Sequence, residues 1–207
     1  MSVFLELSCL NRITIRYFLF FVFILLIHPN AIAEESPGYR VQLLIFQNAG
    51  DRPQREEAPY QALLTEALLN LDRNREGIEV SSSSGGLAGK LAAIYKKLNT
   101  SADYDVLFVG HWKLRQKKGT SKPAWVDLTT ADGYRFLTGR FRLTAGHLLF
   151  ANVDIVFHDP NVVSSSVRTL TPFLLNETRR IRLDEVHYFD HPKLGVILTV
   201  HRHPVTE

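Results

Sequence analysis

Residues 134–158 read YRFLTGRFRLTAGHLLFANVDIVFH, and the period of this stretch decides the fold class. Two strand-like runs, 134–143 and 147–158, flank Thr144-Ala145-Gly146, a turn triplet, so the segment predicts a β-hairpin. Along the second run Leu149, Ala151, Val153, Ile155 and Phe157 alternate onto one face. Leu148, Phe150, Asn152, Asp154, Val156 and His158 take the other, more polar face. Downstream, residues 169–183 predict a further strand. Residues 185–189 and 194–201 predict a last hairpin, joined through Asp190-His191-Pro192-Lys193.

Upstream, the pattern changes. Residues 39–46 (YRVQLLIF) and 104–112 (YDVLFVGHW) read as buried strands. Between them Tyr60, Leu63, Leu64, Ala67, Leu68 and Leu71 recur at helical spacing after Pro59. Leu87, Leu91, Ile94, Tyr95 and Leu98 mark a second amphipathic helix after the flexible loop 81–86. The expected architecture is α+β: a largely antiparallel β-sheet with two helices packed on one face.

The 207 residues are 45% apolar and 22% charged, which excludes disorder, a collagen-like chain and a multi-span membrane protein. Residues 17–27 (YFLFFVFILLI) form an unbroken apolar run behind Arg12 and Arg16. As a helix the run would reach only about 16 Å, against a hydrocarbon core of roughly 30 Å. His28-Pro29 breaks it, and Ala31-Ile32-Ala33 has the small-x-small pattern of a cleavage site. A cleaved signal peptide over 1–33 is therefore expected, with cleavage between Ala33 and Glu34 and a single domain over 34–207. The one cysteine, Cys9, precedes the apolar run, so the processed domain would hold no disulfide and no thiol nucleophile. Export without disulfides or lipid points to the periplasm of a Gram-negative cell or to a secreted product. The net charge of +3 falls to +2 on processing, with 22 basic and 20 acidic residues left, too weak a bias to argue for nucleic acid. No membrane span is expected after processing.

Candidate chemistry is sparse. Residues 85–90 (GGLAGK) resemble a phosphate loop, but Ser84 stands where its first glycine belongs and Leu91 where Ser or Thr should follow the lysine. His187, His191, His201 and His203 match no metal-ligand spacing, and Asp190 reads as a turn cap, so no metal and no cofactor are expected. Neither a G-x-S-x-G elbow nor an S-x-x-K motif appears from residue 34 on, which argues against an enzyme. Basic residues carry more. Lys113, Arg115, Lys117, Lys118 and Lys122 run without an intervening acid, flanked by Trp112 and Trp125, and Arg179, Arg180 and Arg182 form a second cluster. Guanidinium forks read carboxylates, and an exposed indole or phenol ring stacks on sugars, so together they suit an anionic glycan-peptide polymer. Arg180 and Arg182, two apart on a predicted strand, would share a face.

The stretch Arg179-Arg180-Ile181-Arg182, followed by 185–192 (EVHYFDHP) and Gly195-Val196-Ile197, resembles the signature of the CsiV family of peptidoglycan-binding proteins. The hairpin 139–157, the strand at Tyr104 leading to Trp112 and Gln116, and the opening strand 39–46 are also similar. The chain departs from the family at Gln47-Asn48, where a basic pair is typical. It also lacks a tryptophan before the opening strand. The resemblance implies a non-enzymatic periplasmic accessory protein that binds peptidoglycan. It further implies support of a bifunctional penicillin-binding protein through that enzyme's outer-membrane lipoprotein activator. A protein-protein adaptor that does not touch glycan and a cell-wall hydrolase are the alternatives. The candidate ligand residues are Trp112, Arg180, Arg182, His187 and Tyr188.

Overall fold

A computed structural model describes residues 38–49, 75–131, 133, 135–158 and 172–203. The expected helix at 60–71, the signal at 1–33 and Glu34 lie outside these residues. Within them, strands account for 62% and helical turns for 11%, and there is one α-helix. The α+β expectation of two helices packed on one face is thus corrected: the architecture is mostly β, built as two sheets face to face.

The smaller sheet has four antiparallel strands. β1 (Gly38–Asn48) lies at its centre between β3 (Tyr104–Arg115) and β10 (Leu194–His203), and β9 (Val186–Asp190) follows β10. The larger sheet runs in the order β2 (Ile78–Glu79), β5 (Ala124–Thr129), β6 (Arg135–Ala145), β7 (Leu149–His158), β8 (Pro172–Ile181), and β4 (Gly119–Thr120) adds to the end of β6. The predicted hairpin 134–158 is present as β6 and β7. Its turn falls two residues later than expected, where Gly146 N–H donates to the Leu148 carbonyl at 3.1 Å, while Thr144 and Ala145 pair with Phe150 and Leu149.

Alternation explains the packing. Val41, Leu43 and Ile45 of β1, Phe108 and Trp112 of β3, and Val196, Leu198 and Val200 of β10 face inward from the smaller sheet. They meet Val126, Leu137, Phe141, Val153, Ile155 and Phe157 of the larger one in a single core. One sheet therefore covers the other, the place the sequence reading assigned to helices. The second predicted helix does form, as α1 (Gly89–Asn99), but only Leu91 of it is buried. Leu91 covers Leu44, Phe46, Val109 and Ile197 on the outside of the smaller sheet. Gly195 makes that face possible: a Cβ there would lie 2.3 Å from the ring of Phe46, its cross-strand partner.

Candidate ligand-binding face

The outer face of the larger sheet carries the polar half of the hairpin alternation. Cross-strand pairing sets Trp125, Arg140, Asp154 and Asn176 in one row and Arg142, Asn152 and Thr178 in the next. Thr144, Phe150 and Arg180 form a third. The first row is closed at Trp125 and Asp154, half-open at Arg140 and exposed at Asn176. Trp125 is 2% exposed, its indole N–H donates to the Glu76 carbonyl at 3.1 Å, and the guanidinium of Arg75 lies 4.9 Å from its ring centre. Asp154, 6% exposed, is the electrostatic centre. It accepts from Arg140 Nε at 3.0 Å and Nη2 at 2.9 Å, from Arg142 Nη2 at 3.4 Å, and from Asn176 Nδ2 at 2.5 Å. One carboxylate thus serves two guanidinium groups. Arg140 brings two donors to the single oxygen Oδ2, and Arg142 reaches the same oxygen by its tip alone, with its Nε buried and without an acceptor.

The other two rows are open. Thr120, Thr178 and Arg180 are exposed, and Arg142, Thr144, Phe150 and Asn152 are partly so. A hydrogen-bond chain crosses four strands here. Thr120 and Thr144 hydroxyls lie 2.9 Å apart, Thr144 donates to Asn152 Oδ1 at 3.0 Å, and Asn152 Nδ2 donates to Thr178 at 2.7 Å. Because Thr144 gives its proton to Asn152, it accepts that of Thr120. The Thr178 hydroxyl therefore ends the chain as an acceptor, with its own proton unspent. Exposed Lys118 and Lys122 flank Thr120 at the same end of the sheet. Chemically, this is a flat surface rich in donors and positive in charge, with one outward aromatic ring.

The residues singled out from sequence do not converge. Trp112 is 8% exposed and packs in the core, 6.2 Å from Phe141. Arg180 stands on the open rows. Arg182 does not share its face, because β8 ends at Ile181. Its side chain instead faces Glu185 at 3.6 Å in the turn to β9. His187 joins Arg182, accepting from its backbone N–H at 3.1 Å. Tyr188 is 41% exposed on the other sheet's outer side, stacked on Phe46 with planes 9° apart and donating to Asp190 at 2.6 Å.

The signature segment thus builds a corner. Arg179 spans from β8 to the Tyr188 carbonyl at 2.5 Å and lies over Phe189. Asp184 takes a left-handed backbone (φ 63°), donates its N–H to Val200, and pairs its carboxylate with His201 at 2.6 Å. Asp190 does not cap the turn. That role falls to His191, whose Nδ1 accepts from Lys193 N–H at 3.2 Å. Burial against Phe173 lowers the His191 pKa below its ordinary value, partly opposed by the charge of Asp190. Among the described residues no three His, Cys, Asp or Glu side chains converge as a metal site would need. No described helix is long and apolar enough to cross a membrane.

Of the glycines in 85–90, Gly86 is packed, whereas Gly85 and Gly89 are exposed with open space around them. Arg40 donates to the Gly86 carbonyl at 2.6 Å, and a Cβ on Gly86 would lie 1.8 Å from the ring of His111. Phe150 belongs to the open face without being among the residues singled out from sequence. Its place on the polar side of the β7 alternation was the available signal.

No curated protein and no solved structure is detectably similar to the chain. A family match covers residues 17–203, nearly the whole length, and includes the hairpin, the polar face and the signature corner. The chain therefore belongs to the family described as peptidoglycan-binding protein, CsiV.

Proposed function

We propose that the protein is a non-enzymatic, peptidoglycan-binding accessory factor of cell-wall synthesis, held in the periplasm after removal of residues 1–33. The family match over residues 17–203 carries this reading. The surplus arginine on an exposed sheet face supports it, because free carboxylates on the stem peptides make the wall anionic. In this reading the protein supports a bifunctional penicillin-binding protein through that enzyme's outer-membrane lipoprotein activator.

Cosedimentation with protein-free sacculi tests the binding. The chain is expected to pellet at low salt and to release as salt screens the charges. A chain that stays in the supernatant with sacculi at low salt would reject the function. Zymography on the same sacculi should show no clearing, and a cleared zone would make the protein a hydrolase. Processing has its own test. Mass spectrometry of a periplasmic extract is expected to find Glu34 at the N-terminus, whereas retention of residues 1–33 in the membrane pellet would overturn export with cleavage.

A further inference from the structure

Three features of the open rows point to one position for the ligand. The first is charge. Among the described residues, neither open row holds a carboxylate; Asp154 in the row beside them spends its lone pairs on Arg140, Asn176 and the tip of Arg142, and Asp127, one row further, is taken by Arg75 and Arg135. Arg142 is left with buried, unused donor capacity, and Arg180 has no ion pair among the described residues. The second is the ring of Phe150, which looks outward between Thr144 and Arg180 in a row otherwise polar. An aromatic face beside donors is what an amino sugar needs, its apolar side on the ring and its hydroxyl and amide groups on the rim. The third is the directed chain that ends at Thr178 with a free proton, next to Arg180. Arg142 and Arg180 lie two strands apart and two residues along, about 12 Å between backbones from strand spacing and rise. They are placed to meet successive carboxylates of one strand, not the two oxygens of a single group.

We infer that the wall polymer binds across these rows, a sugar over Phe150 and stem-peptide carboxylates on Arg142 and Arg180, an assignment that rests on the peptidoglycan-binding reading above. The assay is cosedimentation of the full chain with sacculi, alongside a thermal melt. Phe150→Ala and the pair Arg142→Gln with Arg180→Gln should each weaken binding about tenfold or more, the effect of losing a charge-assisted contact or a stacked ring. The pair Lys96→Gln with Lys97→Gln removes the same charge from α1 and should bind as the wild type does. Amidating the sacculus carboxylates should lower wild-type binding to that of the arginine pair and add nothing to that pair's loss. Where Arg142→Gln lowers the melting temperature, Arg180→Glu, on an exposed side chain, carries the test alone. Folded variants that pellet like the wild type would overturn this face while leaving the function intact. A wild-type chain that fails to pellet would overturn both.

Discussion

Replacing Phe157 with alanine is expected to lower stability by about 3–5 kcal/mol, the range for emptying a fully buried aromatic site. Phe157 has no exposure, and it lies on β7 between β6 and β8 of the larger sheet. Its ring sits 6.4 Å from Phe136 and 6.3 Å from Phe173, so truncation opens a void that three strands must share. Backbone pairing on both sides of β7 limits how far the walls can close in. Urea unfolding followed by tryptophan fluorescence measures the loss, since both tryptophans are buried. A change below about 1.5 kcal/mol would mean that the two sheets do not pack through this residue.

Asp154→Asn is expected to act in two opposite directions. It removes the charge that holds Arg140 and Arg142 together, so stability should fall. Breaking a fully buried pair costs about 3–5 kcal/mol, but the two guanidinium groups are partly wet, so about 2–3 kcal/mol is expected. At the same time the outer face gains one net positive charge beside the open rows. Sacculus binding should therefore tighten at low salt, and the gain should fade as salt rises. Urea unfolding and cosedimentation on the same preparation decide it. Weaker binding by the folded variant would place the polymer away from this face.

Much of the sheet structure was legible in local pattern. The alternation from Leu149 to Phe157 identified both faces of β7, and 39–46 and 194–201 were read as strands. Partnership between strands was not legible. β10 pairs with β1 from about 150 residues away, and nothing in either segment names the other. β5 is hidden in the sequence, because AWVDLT is six residues long and stands after Pro123 and a lysine run that dominate the local pattern. Without β5, and without knowing which strands shared a sheet, the inward faces seemed to need helices to cover them. The candidate site divides the same way. Arg180 was found by its charge. Arg182 shares that face only if the strand continues, and β8 ends one residue earlier, at Ile181. Trp112 shares the inward parity of Phe108, so its spacing within 104–112 already pointed to the core. Phe150 is hard to single out because an aromatic on a half-polar face reads as imperfect alternation until the buried Trp125 and Asp154, two rows away, show which part of that face stays open.

The place of β1 has a consequence for the order of folding. Its residues pair with β10 from Gly38↔His203 to Gln47↔Leu194, so the central strand of the smaller sheet waits for a segment about 150 residues further along. Contacts between such distant segments form slowly, because a long loop must close before any of them is rewarded. Until 194–203 is available, Val41, Leu43 and Ile45 have no complete sheet to join, whereas the β6–β7 hairpin can form from 24 contiguous residues. The same arrangement sets a vulnerability: any truncation before Leu194 leaves β1 with an open edge of apolar residues, the surface most prone to pair with another copy.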